Sequence, residues 1–233
     1  MSANADVMLG SELIGSRAQG TASARVEMFC ETNDWNPQDF AREQIRGLVR
    51  RVFFGSGAQP VKQVVFSAAG RHTDVAGICD QVGRALALET QAEVAIVGRE
   101  PGVEEMRRVN APDVSIRAWS TQTGINLWHV PGFGRRECGE GSGTGRYWSS
   151  WLAELRNEFE YAVIHGPAAG VSSEAAVLGQ LADGIILVLG AHSTRKATAR
   201  KIKEGLEAAQ SRILGTVLSE RRFPVPERIY RRL

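Results

Sequence analysis

The feature that most constrains this chain is a regular alternation of short apolar runs with longer amphipathic stretches. Val64-Val65-Phe66, Val94-Ala95-Ile96-Val97, Tyr161-Ala162-Val163-Ile164, Ile185-Ile186-Leu187-Val188-Leu189 and the run over 213–218 are nearly unbroken in their hydrophobicity. Such runs suit strands covered on both sides. Between them lie segments with helical spacing. The stretch 73–89 carries Val75, Ile78, Val82, Leu86 and Leu88, and 147–158 carries Trp148, Trp151, Leu152 and Leu155; 172–181 and 194–210 follow suit. Strand, helix, strand in this order predicts an α/β domain with a mainly parallel sheet and helices on both faces. A short helix over 104–109 and an alternating strand over 125–130, closed by Pro131-Gly132, complete the pattern.

Ahead of the first strand, residues 37–54 place Phe40, Ile45, Leu48, Val49, Val52 and Phe53 at near-helical spacing. Pro37 falls at the first helical position, where its missing N–H costs nothing, and Gly55-Ser56-Gly57 ends the helix. Glu43, Arg46 and Arg50 are three and four positions apart and share a second face. Residues 1–36 are rich in Ser, Ala, Gly and Asn, bury too little to offset their ordering entropy, and are expected to be disordered. The 233 residues therefore read as one domain over 37–233.

Composition narrows the function. A formal net charge of only +2 is not the footprint of a nucleic-acid binder, and local arginine clusters near both ends read as solvated faces. The three cysteines, Cys30, Cys79 and Cys138, show no paired spacing, so neither a zinc site nor a disulfide framework is indicated and a reducing, cytoplasmic setting fits. No apolar run approaches the roughly 18 to 20 residues that cross a bilayer. Any connection to a membrane is expected to run through a partner rather than by direct insertion.

In a parallel sheet, ligands bind where the strands end, and the loop after the first strand commonly wraps phosphate at a helix N-terminus. Here that loop is Ser67-Ala68-Ala69-Gly70-Arg71-His72-Thr73-Asp74. A phosphate loop of the form G-x-x-x-x-G-K-[ST] uses glycines for close backbone approach, Lys for the β- and γ-phosphates and a hydroxyl for magnesium. This loop has one glycine and no lysine, and it is short. Gly70, Arg71, His72, Thr73 and Asp74 mark the phosphate-loop position, but Thr73 or Asp74 is better suited to capping the following helix. The run Gly139-Glu140-Gly141-Ser142-Gly143-Thr144-Gly145 follows no buried strand and reads as a loop. The tryptophans Trp119, Trp128, Trp148 and Trp151 read mainly as core.

The order of pieces resembles a known family. Glu43-Gln44-Ile45-Arg46-Gly47-Leu48-Val49-Arg50, the strand into Ser67-Ala68-Ala69, Phe159-Glu160-Tyr161-Ala162-Val163-Ile164-His165-Gly166-Pro167, Leu178-Gly179-Gln180-Leu181-Ala182-Asp183-Gly184, and Arg212 through Leu218 are similar, in sequence and spacing, to the cytoplasmic domain of bacterial tyrosine autokinases of capsule and exopolysaccharide synthesis. These belong to the MinD/ParA-like P-loop ATPases. The resemblance runs from residue 40 to residue 233. It implies a P-loop NTPase-like fold, an assembly helix bearing Glu43, Arg46 and Arg50, and a membrane polysaccharide co-polymerase as partner.

The departures fall on the reactive positions. Where the family carries a carboxylate pair after its second strand, this chain has Gly98-Arg99-Glu100; where it carries the Walker B aspartate, this chain has His165. Magnesium prefers oxygen ligands, so imidazole replaces that aspartate poorly. The segment Pro224 through Leu233 holds Tyr230 alone rather than a tyrosine cluster. The resulting expectation is a catalytically inactive binding or regulatory component, with no catalytic residue, cofactor or metal. Two alternatives stay open: an atypical ATPase or tyrosine kinase in which Arg71, Asp74, Glu100 or a basic residue of a partner restores the site, and a MinD-like spatial-positioning adaptor.

Overall fold

The computed structural model of the chain describes residues 5–6, 37–55, 60–71, 73–98, 115–132 and 144–220. Its strands are β1 (Ala5–Asp6), β2 (Gln63–Ala68), β3 (Val94–Val97), β4 (Thr121–Gly124), β5 (Leu127–Val130), β6 (Tyr161–His165), β7 (Gly184–Gly190) and β8 (Ile213–Ser219). Its helices are α1 (Pro37–Phe53), α2 (Val75–Thr90), α3 (Ile116–Trp119), α4 (Thr144–Glu158), α5 (Glu174–Leu181) and α6 (Lys196–Ala208). The strands form one sheet in the order β1-β8-β7-β2-β6-β3-β5-β4, parallel except at its two edges, where β1 and β4 run antiparallel to their neighbours.

Alternate residues of the central strands feed two cores. Val64, Phe66, Ile96, Val163 and Ile186 face α1 and α2. Val65, Ala95, Ala162, Ile164 and Ile185 face α3, α4, α5 and α6. Both faces are thus covered, as the continuous apolar runs require. On α1, Ile45, Leu48, Val49 and Val52 are buried, and Phe53 meets the ring of Tyr161 edge-on at 5.8 Å.

Local structure departs from the sequence reading in several places: Leu88 of α2 is exposed rather than buried, and the short helix α3 has no counterpart in that reading. The strand expected over 125–130 starts at Leu127, because Ile125 and Asn126 form the turn of a hairpin, Asn126 taking a left-handed φ of 57°. The first arm of that hairpin, Thr121–Gly124, is fully exposed and has no apolar alternation to betray it. Within the N-terminal segment expected to be disordered, Ala5–Asp6 instead pairs with Ser219 and Leu218, using the otherwise open edge of β8. Residues 1–4 and 7–36, the helix expected over 104–109 and most of the glycine-rich run over 139–145 lie outside the described residues.

A polar network ties the amino ends of the strands together. The carboxylate of Asp183 accepts from the backbone N–H groups of Lys62 and Gln63, both at 2.8 Å, and from Arg156 at 2.8 Å. Gln63, buried at the start of β2, donates to the Leu152 carbonyl at 2.9 Å and accepts from Arg156. Nearby, Arg117 pairs bidentately with Glu93 and lies 4.9 Å above the Trp128 ring. That pairing holds the Glu93 carboxyl below its ordinary range. These groups are at the closed end of the domain, away from the strand ends where a ligand would sit.

Candidate functional site at the strand ends

The carboxyl ends of β2, β3, β6 and β7 meet at one rim, and the first three position residues flagged by the sequence. β2 leads into Gly70 and Arg71, then Thr73 and Asp74; β3 leads into Gly98; β6 ends on His165. His72 and Glu100 lie outside the described residues. Glu43, Arg46 and Arg50 are remote from this rim, on the exposed side of α1, where Arg46 pairs with Glu43 at 3.7 Å and Arg50 with Glu89 of α2 at 3.4 Å.

The first-strand loop is built to cap a helix. Asp74, extended at φ −74° and ψ 93°, accepts the Gly77 N–H at 3.0 Å through its side chain, as the sequence led us to expect of Thr73 or Asp74. A carboxylate therefore occupies the Gly77 N–H, one of the groups at this helix end that would otherwise attract an anion. None of the described loop residues has a positive φ, so the alternation of right- and left-handed backbone that makes an anion nest is not present among them.

A second feature, not read from the sequence, closes the loop from the other side. The buried hydroxyl of Ser67 donates to the Pro167 carbonyl at 2.5 Å and accepts the Ala169 N–H at 3.0 Å, while that same N–H reaches the Ala68 carbonyl at 2.9 Å. The segment following β6 is thereby fastened across the end of β2. Gly170 completes the closure, since a side chain there would run into the Ala69 carbonyl oxygen. The signal was the small-residue run Gly166-Pro167-Ala168-Ala169-Gly170 directly after a strand, which close backbone approach demands.

His165 stands between two cavities. One, about 190 Å³, is lined by Arg71, Trp148, Trp151, Ser172 and Glu174 with His165. The other, about 330 Å³, is lined by Thr73, Asp74, Cys79, Gly98 and His129 with His165. The tryptophans read as core are thus partly site-lining: Trp151 is buried, but Trp148 is half-buried and meets it edge-on at 5.8 Å. Burial pushes the Cys79 thiol up, which keeps it protonated and unreactive. No cluster of His, Cys, Asp and Glu suited to a metal ion occurs among the described residues.

No family profile matches the chain. A 74-residue stretch is 31% identical to the tyrosine-protein kinase CpsD of Streptococcus agalactiae serotype III (strain NEM316), covering 32% of this chain and 32% of that protein. The chain therefore matches about a third of the length of its curated relative. The kinase domain of the Escherichia coli tyrosine kinase ETK superposes with a TM-score of 0.59 at 16% identity, covering 80% of this chain and 79% of that one. Over the 74-residue stretch the chain is similar to the bacterial tyrosine-protein kinases, and over most of its length it shares the fold of their kinase domains. Its fold extends to MinD: the MinC:MinD complex of Aquifex aeolicus superposes with a TM-score of 0.52 at 15% identity over 66% of each chain. The mainly parallel P-loop NTPase-like architecture expected from the sequence is the one observed.

A P-loop NTPase-like fold implies a nucleoside triphosphate with magnesium at this rim. The donor set here suits it poorly. Asp74 brings negative charge to the N-terminus of α2, Gly170 and its neighbours lie against Ala69, and the end of β6 offers imidazole in place of an oxygen ligand. Arg71 is the one cation that the described residues of the loop supply, and it lines the cavity under Trp148.

Proposed function

We propose that this domain is a non-hydrolysing relative of the bacterial tyrosine kinases, acting as a protein-binding or regulatory component of capsular or exopolysaccharide production. The single observation that carries the reading is the Asp74 carboxylate on the N-terminus of α2, the place where phosphate would have to sit. The absence of lysine from the loop and of a carboxylate at position 165 points the same way, because phosphoryl transfer depends on positioning and charge compensation by just those groups. In this reading no cofactor is required, and the partner is a membrane polysaccharide co-polymerase, met through exposed helices rather than by insertion. No described helix is long and apolar enough to cross a membrane.

Calorimetric titration of the purified chain with ATP and magnesium, paired with a phosphate-release assay, tests the proposal. The expected result is neither binding heat nor release above a buffer control. Turnover that disappears in Arg71→Ala would overturn the reading and make the domain an atypical ATPase.

A further inference from the structure

Helices α5 and α6 follow neighbouring parts of the strand-end rim and enclose a groove of about 880 Å³ between them. Its floor is small and apolar, formed by Ala176, Ile202, Gly205 and Leu206, with Gly170 at its head. Val171, 51% exposed, stands at its edge. No aromatic side chain lines it.

The charge around the groove is one-sided. Arg195, Lys196, Arg200, Lys201 and Lys203 all precede Glu204, the first acid of α6, although cations at a helix N-terminus oppose its dipole. Two of them are neutralised on the outer face: Arg200 by Glu204 at 3.0 Å and Lys203 by Glu207 at 3.4 Å. Lys201 lines the groove itself, and the described residues offer no ion pair to it, to Arg195 or to Lys196. Glu174, the acid in the first turn of α5, lines the cavity under Trp148 instead. A local rule of helix design is thus broken where a concave surface is open, the pattern expected of a binding surface.

We propose that this groove docks an acidic peptide segment of a partner protein, with carboxylates at Lys201, Arg195 and Lys196 and a single aliphatic side chain against Ile202 and Gly205. Charge complementarity sets the sign of the occupant, and the shape selects its class. Single-stranded nucleic acid would need stacking platforms, which the groove lacks, and a bilayer needs protruding apolar residues rather than a recess. The proposal holds whether or not nucleotide binds at the strand ends, because its test reads peptide binding alone.

The test is fluorescence anisotropy with the full chain and a labelled peptide of Asp and Glu flanking one Leu, beside its Asn and Gln counterpart. Gly205→Leu fills the groove without disturbing the helix, since a Cβ there meets nothing within 4 Å. We expect the acidic peptide alone to bind, more weakly as salt rises, and both Gly205→Leu and Lys201→Glu to weaken it at least about tenfold. Arg200→Gln, on the outer face, should leave it unchanged, and circular dichroism confirms folding of each variant. Equal binding of the neutral peptide, unaltered affinity in Gly205→Leu, no binding at all, or tighter binding to duplex DNA or phosphatidylglycerol vesicles would each overturn the proposal.

Discussion

Ser67 donates its buried hydroxyl to the backbone carbonyl of Pro167 at 2.5 Å, joining the last turn of the first central strand to a segment a hundred positions later. The same oxygen accepts the Ala169 N–H. One side chain therefore holds closed the space that a phosphate loop would open.

Ser67→Ala should accordingly destabilise the fold. It leaves the Pro167 carbonyl without its donor and weakens the bonding of the Ala169 N–H, a loss of about 1–3 kcal/mol. Urea denaturation would show a lower midpoint at unchanged slope, and an unaltered midpoint would mean that the closure is incidental.

Asp74→Ala removes the cap of α2 and should cost about 1 kcal/mol. It should not create ATP turnover, and neither should His165→Asp, because groups that act as a set respond poorly to single repairs. Phosphate release measured on both variants checks this; hydrolysis by either would show the loop to be more competent than its capped geometry implies.

Acid stability should depend on Glu93. Arg117 lowers its carboxyl in the folded state, so the pair contributes fully above the ordinary value of 4.5 and loses its contribution as pH falls through the folded value. The stability advantage of the natural protein over Glu93→Gln should therefore shrink as urea melts are taken from pH 7 to below 4. A constant gap across that range would place the effect in packing rather than charge.

Self-association, if the exposed face of α1 drives it, should be sensitive to Arg46→Glu. Arg46 is the cleaner probe because its partner Glu43 is an exposed neighbour on the same helix, whereas Arg50 ties α1 to Glu89 of α2, so reversing Arg50 would disturb the packing of two helices. Light scattering, with circular dichroism as the folding control, decides: a natural protein that stays monomeric at high concentration removes the homo-oligomer and leaves a partner protein to be sought.

The central fold was legible because each buried strand carries its own signal: Val94–Val97 is an unbroken apolar run, and the faces of α1 and α2 repeat at helical spacing. Thr121–Gly124 carried no such signal, being polar and exposed, and is a strand only because β5 lies beside it. The site divides the same way. Missing groups, such as lysine in the loop or a carboxylate at position 165, can be read from a linear chain. The Ser67 closure and the placement of His129 with His165 around one cavity join strands distant in sequence: the small run from Gly166 to Gly170 signals a close approach after β6 but does not say what it approaches.

The bonds from Asp183 to the backbone of Lys62 and Gln63 span 121 and 120 positions of chain. Since β2 lies between β6 and β7, its neighbours on both sides are made long after it is. At a synthesis rate of about 5–20 residues per second, Val64-Val65-Phe66 waits roughly 6 to 24 seconds after leaving the ribosome for its second flank. The nascent chain thus carries its most central strand without its second neighbour for that interval, an apolar exposure of the kind that chaperones bind.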